Sequence, residues 1–372
     1  MFTLSLNPQQ NGDMQKLFRA SASAASLSTA TSSANAALAL AAAGPLWPKL
    51  LQLIDPEHLP SARDIASHGA AITHTLTGTA TPAEAVDATM GARVYHMYLP
   101  IFFFAREILR ARRAEAGSSN AKAATVAVGL SAPQGCGKTT LVDVLVERFA
   151  AEGITCAAVS FDDFYLRGAE QDAVAAASPS NPLLQVRGNA GTHDVELGSA
   201  TLRALKHSDS GETLALPRYD KAQRGGRGDR APADTWPALP SPPDIVLLEG
   251  WMAGFAPVSP SAEALREYQG LTEVNEALAR YKAWHELMDA WVVVGVDDPA
   301  VVYQWRLQAE RAMAASGRPG MSDAQVADFV SRYMPAYHAY LPALYAAAEA
   351  GGVDAKPTIF AKVDAERRPV PS

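Results

Sequence analysis

The chain has 372 residues, 48% apolar and 19% charged, and its 32 Lys plus Arg against 39 Asp plus Glu give a formal net charge of −7. That balance excludes the basic domain with which proteins wrap nucleic acid, and no run reaches the roughly 18 consecutive apolar residues of a membrane span. Two cysteines, Cys136 and Cys156, cannot build the disulfide framework of a secreted scaffold, so the expectation is a soluble intracellular chain of two or three domains.

Residues 1–45 read as lying outside the fold. Asp13 is their only acidic residue, and Ala20 to Ala43 is almost entirely Ala, Ser, Thr, Leu and Asn. An acid-poor, Ser/Ala-rich stretch with a few basic residues suits an organelle transit peptide, and a disordered tail is the alternative. Residues 46–120 read as a helical region with turn signals at Pro56, Pro60 and Pro82, ending in the basic cluster Arg110, Arg112 and Arg113. A helix C-terminus tolerates cations, so the cluster needs no ligand. Gly117 to Asn120 reads as a linker.

From residue 121 to 372 short apolar strands alternate with helices. Ala123–Leu130, Thr155–Phe161, Ile245–Leu248 and Trp291–Gly295 have the near-continuous apolar content of a parallel sheet covered on both faces. Helices are expected at Thr139–Glu152, Val195–His207, Ala262–Leu287 and Ala300–Ala315. Another follows a Ser322/Gln325 capping box, and Thr358–Val363 offers a last strand. The fold class is α/β, a P-loop NTPase-type, mostly parallel sheet with helices on both faces and an N-terminal helical region.

Ala132-Pro133-Gln134-Gly135-Cys136-Gly137-Lys138-Thr139 matches the phosphate-loop pattern with Ala in place of the first glycine, between a buried strand and a helix. Backbone N–H groups of Gln134 to Thr140 can converge on phosphate oxygens at the helix N-terminus. Lys138 then reaches the β- and γ-phosphates of ATP or GTP, and the Thr139 hydroxyl ligates Mg²⁺. Cys136 sits at that helix N-terminus, a setting that lowers a thiol pKa, although a small residue filling the turn is the simpler reading. Glu249 closes the apolar run Asp244 to Leu248 and is the second candidate Mg²⁺ ligand. Asp162 and Asp163 also follow a strand; Asp162 is preferred as the base, because alternate residues of an extended exit face opposite ways.

The polar loops carry the substrate information: Gly188 to Asp194, Leu216 to Lys221, and the arginine-rich turn through Arg224 and Arg227. Asp194 doubles as a helix N-cap candidate. Together Ser131 to Leu141, Asp162-Asp163-Phe164-Tyr165, Gly188 to Asp194, Pro217 to Lys221, Glu249 to Phe255, Gly320 to Asp323 and Ser331 to Tyr337 resemble the plant-type D-glycerate 3-kinase family, within the wider uridine kinase, pantothenate kinase and phosphoribulokinase group. The likeness runs from about Thr125 to Asp364. The resemblance implies ATP-dependent phosphorylation of D-glycerate to 3-phosphoglycerate, a photorespiratory step in chloroplasts, and favours the transit reading. It implies Asp162 as base, Asp194 and Tyr219 in the substrate segments, and Arg306 and Arg311 as lid arginines. His193, Arg218 and Lys221 are candidates for the glycerate carboxylate. A nucleoside or sugar-phosphate kinase and a silent ATP-binding module are the alternatives. Oligomeric state is left open and is compatible with a monomer.

Overall fold

The computed structural model describes residues 29–79, 81–117, 125–207, 211–317 and 320–371. Residues 1–28 of the expected leader and 118–120 of the expected linker lie outside them.

Five parallel strands form the body of one sheet: β1 (Val126–Ser131), β2 (Cys156–Ser160), β3 (Ile245–Gly250), β4 (Ala290–Gly295) and β5 (Lys356–Val363). Their order is β2-β3-β1-β4-β5, with the short antiparallel β6 (Pro369–Val370) beyond β5. β1 and β4 are buried along their whole length, whereas β2 alternates buried and half-buried residues because it is the edge strand. The chain leaves β1 towards one edge and leaves β3 towards the other, so β1 and β3 flank the topological switch point, where open α/β sheets bind ligands. Their register pairs Leu130 with Glu249 and Ser131 with Gly250, which sets the two strand exits side by side.

The helices expected at Val195–His207 and after Ser322 are present, the latter with both bonds of the capping box: Gln325 N to Ser322 Oγ at 3.3 Å and Ser322 N to Gln325 Oε1 at 2.8 Å. The stripe through Met334 is divided between Asp323–Ser331 and a second helix, Met334–Glu349.

The boundary expected at residue 45 is corrected. Thr29–Ala42 is a helix, and Ala37, Leu38 and Ala41 are buried in the same apolar cluster that reaches Val363. Small Ala/Leu side chains, read as low complexity, here let one helix pack closely against its neighbours. The N-terminal helices do not stand apart from the kinase body. Leu99–Ala116 packs Phe102 against Phe149 of the phosphate-loop helix at 5.1 Å between ring centroids. It continues directly from a π-helical segment, Ala92–Tyr98. At its far end Arg110 pairs with Glu107, Arg112 with Asp289 and Arg113 with Asp244. Arg112 and Arg113 are thus neutralised at the N-terminal edges of β4 and β3, and Arg110 within its own helix.

Candidate active site

β1 ends at Ser131 and the chain turns into the helix Lys138–Ala151. Gly135 and Gly137 have φ of +80° and +96°, a region open to glycine without Cβ strain. A Cβ on Gly135 would lie 2.7 Å from the Cβ of Trp305, so the helix Val301–Ala315 rests directly on the loop. Lys138 Nζ donates to the carbonyls of Ala132 at 3.0 Å and Pro133 at 3.2 Å. The backbone N–H of Gln134 donates to Tyr337 Oη at 3.0 Å. Thr139 and Thr140 are exposed at the first helical turn, where the orphan N–H groups and the helix dipole favour an anion. Burial pushes the Cys136 thiol up and Lys138 pulls it only partly back. The lowering expected at this position is therefore reversed, because lost hydration outweighs the charge and the backbone N–H of Lys138.

Beside Leu130 in the register stands Glu249, for whose carboxylate no hydrogen-bond or ion-pair partner is found among the described residues. Next to Glu249 in the register is Ser160 of β2, after which the chain enters a 3₁₀ turn, Phe161–Phe164, rather than an extended exit. The separation of the two acids therefore has a different cause from strand alternation. Asp163 Oδ2 accepts from Ser160 N at 2.9 Å and caps the turn, while Arg218 Nη1 pairs with it at 3.2 Å. Burial raises the Asp163 carboxyl. The Asp162 carboxylate takes no part in the cap. Burial raises its carboxyl too, but Lys221 Nζ at 2.5 Å and the Tyr165 hydroxyl outweigh that and hold it below the usual range.

His193 lies under this pair, stacked on Tyr165 at 4.5 Å between centroids. Its Nδ1 is 2.7 Å from Tyr281 Oη, which itself accepts from Gly191 N at 3.2 Å. The other ring nitrogen is Nε2. That Nε2 is buried without a partner, and burial pulls the imidazole down to about 3. His193 is thus neutral and not the cation that a carboxylate ligand was expected to be. Asp194 is occupied: Oδ1 accepts from Leu197 N at 2.9 Å as a helix cap, and Oδ2 from Arg230 at 2.9 Å. Tyr219 meets Tyr165 edge-on at 5.3 Å.

Arg187, which the sequence reading passed over, lies over the Tyr219 ring at 5.5 Å and donates to the carbonyls of Gly226 and Arg227, with no carboxylate partner among the described residues. Its position immediately before the Gly188 block was the available signal. Gly188 has φ of +148°, and a Cβ there would come within 2.7 Å of Tyr333 Oη, so this loop is clamped against the helix pair that follows Ser322. Arg224 and Arg227 both pair with Asp172, which ties their turn to the helix Gly168–Ala177.

The two expected lid arginines differ. Arg306 pairs with the buried Glu310, stacks on Phe329 at 5.0 Å and has an unpartnered Nε. Arg311 pairs at 3.1 Å with Asp323 on the exposed outer side. Five residues apart on one helix, they point about 140° from each other. The structure thus gathers Lys138, Thr139, Glu249, Asp162, Tyr165, His193, Lys221 and Arg187 at the C-terminal edge of the sheet, and leaves Arg311 outside.

No family model matches the chain. It is 44% identical over 281 residues to the chloroplastic D-glycerate 3-kinase of Arabidopsis thaliana, an alignment covering 75% of this chain and 61% of that protein. The chain therefore spans about three-fifths of the length of that relative. It is 40% identical over 227 residues to an uncharacterized kinase of Schizosaccharomyces pombe, covering 58% of this chain and 81% of the relative. The solved D-glycerate 3-kinase of Cryptococcus neoformans superposes with a TM-score of 0.64 at 30% identity, covering 74% of this chain and 97% of that one.

Proposed function

The chain belongs to the D-glycerate 3-kinase family, and from that premise we propose that it transfers the γ-phosphoryl group of ATP to the C3 hydroxyl of D-glycerate, giving 3-phospho-D-glycerate and ADP. The observation that carries the reading is the placement of an ionised, uncapped Asp162 at the same sheet edge as the phosphate loop. Asp162 orients the C3 hydroxyl and takes its proton as the oxygen–phosphorus bond forms. The bond from the γ-phosphorus to its bridging oxygen breaks, and the electron pair leaves with ADP. Lys138 exchanges the Ala132 and Pro133 carbonyls for the phosphate oxygens, and Arg306 closes with its helix over the transferring group. Positioning and charge neutralisation supply most of the catalysis in such transfers.

Arg187 and Lys221 are the cations for the glycerate carboxylate in this reading, with His193 as a neutral contact and Arg218 holding Asp163 in its cap. The Thr139 hydroxyl and the unpartnered Glu249 carboxylate are hard oxygen donors that fit Mg²⁺, a cation that takes one or two protein oxygens beside phosphates and waters. When bound, it neutralises charge on the β- and γ-oxygens. Location in the chloroplast and a photorespiratory role are supported by the name of the Arabidopsis relative and by the acid-poor N-terminal residues. The buried face of Thr29–Ala42 supports a transit cleavage before that helix, which N-terminal sequencing of the mature protein checks.

The test is ADP release by the full chain with Mg-ATP, with D-glycerate, L-glycerate, uridine or ribulose 5-phosphate as acceptor. The expected result is turnover with D-glycerate alone, yielding the 3-phosphate, and its loss on chelation with EDTA. Turnover with another acceptor removes the substrate assignment. ATP binding with no acceptor-dependent turnover makes the chain a silent nucleotide-binding module.

A further inference from the structure

Ser331 to Tyr337 takes no part in the transfer step itself, yet it touches both halves of the site. The segment runs from the end of the helix Asp323–Ser331 into the helix Met334–Glu349. On the nucleotide side its two tyrosines meet a single residue. Tyr337 Oη accepts from Gln134 N at 3.0 Å, and the Tyr333 hydroxyl shares a hydrogen bond with the Gln134 side chain. Tyrosines four positions apart on a helical turn share one face, so Gln134 is held by backbone and side chain at once. Its neighbour Gly135 is fastened from elsewhere, its carbonyl accepting from Arg367 Nε at 2.7 Å. On the acceptor side Asn189 Nδ2 donates to the Arg332 carbonyl at 3.0 Å. Tyr333 Oη also stands close enough over Gly188 to exclude a Cβ there.

The rings themselves are wedged. Trp251, two residues beyond Glu249, meets Tyr333 and Tyr337 edge-on at 5.0 and 5.1 Å between centroids. Phe329, on which Arg306 lies, meets Tyr333 at 5.1 Å. Tyr333, Tyr337, Trp251 and Asn189 are all buried. A buried tyrosine ordinarily finds a partner for its hydroxyl, and both tyrosines find theirs on the phosphate loop. Burial pushes the Tyr333 phenol up to about 12. The charge of Asp162 adds to that rise and those of Arg187 and Arg306 oppose it. The neutral hydroxyl therefore lies in the field of the base, of a cation assigned to the acceptor and of the lid arginine. A packed segment with one attachment to each loop passes order between them. A ligand that fixes either loop fixes the segment, and the second ligand then meets a loop already ordered.

We propose that Tyr333 is a positioning residue that couples the two halves of the site: nucleotide on the phosphate loop orders Gly188–Asp194 through the Gln134–Tyr333 contact and raises acceptor affinity. By linkage the acceptor raises nucleotide affinity by the same factor. The inference rests on the kinase reading for the identity of the acceptor.

Hydrogen exchange of the full chain, with and without the Mg²⁺ complex of a non-hydrolysable ATP analogue, tests the coupling with no acceptor present. In the wild type the analogue is expected to slow exchange at least about threefold both in the phosphate loop and in Gly188–Asp194. Tyr333→Phe keeps the ring against Trp251 and removes the hydroxyl alone. It is expected to retain the slowing in the phosphate loop and lose it in Gly188–Asp194, with a melting temperature within about 4 °C of wild type. Calorimetry supplies the second readout: the analogue is expected to tighten D-glycerate binding at least about fivefold in the wild type and less than about twofold in Tyr333→Phe. Gln134→Ala cuts the same contact from the loop and is expected to lose the coupling too, the double variant being no worse than either single one. Wild-type slowing of Gly188–Asp194 retained by Tyr333→Phe, or absent from the wild type, overturns the proposal. So does a fall in stability and in both affinities that leaves their coupling ratio unchanged, the signature of a purely structural hydroxyl. D-glycerate that is neither bound nor phosphorylated, with the loop slowed in the wild type and released in Tyr333→Phe, removes the acceptor assignment and leaves this inference standing. Normal glycerate turnover without coupling removes this inference alone.

Discussion

Burial would raise the Asp162 carboxyl, but the Lys221 ammonium and the Tyr165 hydroxyl more than offset it. The base is then ionised across the neutral range, and the acid limb of kcat/KM attributable to it is expected below about pH 4. Asp162→Asn is expected to cost at least about 10²-fold in kcat with Mg-ATP affinity unchanged by calorimetry. Asp163→Asn removes a turn cap and is expected to cost about 0.5–2 kcal/mol of stability, read as a lower urea midpoint. If the asparagine at 163 is the one that abolishes turnover, the roles are exchanged. His193 and His285, both buried and pulled down to about 3, stay neutral in the native protein while their unfolded counterparts protonate below about pH 6.5. Their folded pKa is the lower one, so the stability they contribute is complete above that pH and is lost as pH falls towards 3. Together they give a slope of up to about 2.7 kcal/mol per pH unit. Urea midpoints that stay level between pH 7 and 5 contradict this.

Among the elements, Val301–Ala315 couples most parts of the site. Trp305 is fully buried, touches the loop at Gly135, lies beneath Arg367 and donates from Nε1 to the Ala365 carbonyl at 2.7 Å. Trp305→Ala is expected to cost about 3–5 kcal/mol, measured by urea denaturation, with a further loss of nucleotide affinity because the loop loses its support. Elements fixed by local chemistry were legible in the sequence: the capping box at Ser322, the phosphate loop between strand and helix, and the amphipathic Val195–His207. What long-range packing decides was not. Nothing local announces that Ala92–Tyr98 winds as a π-helix, that Asp194 is taken by Arg230, 36 positions along the chain, or that the 3₁₀ turn uses Asp163 as its cap. Arg187 shows the same limit, since its importance comes from what it lacks in space, a carboxylate partner.

At the scale of the molecule, one apolar cluster joins the N-terminal helices to the sheet. A chain beginning at residue 46 loses the helix Thr29–Ala42 and uncovers what the buried Leu38 packs against. It is expected to be less stable than a chain beginning at residue 29 by at least about 2 kcal/mol. Equal urea midpoints place that helix outside the cooperative unit.

The bond from Arg367 to the Gly135 carbonyl spans 232 positions. During synthesis at about 5–20 residues per second, the phosphate loop emerges roughly 12 to 46 seconds before the arginine that fastens it. In the early part of that interval the nascent chain carries strand β1 and its glycine turn without β4, β5 or Trp305 to back them. Nucleotide held early by a growing chain is therefore held by the loop alone, and a ribosome stalled before residue 367 displays a phosphate binder that is not yet a closed site.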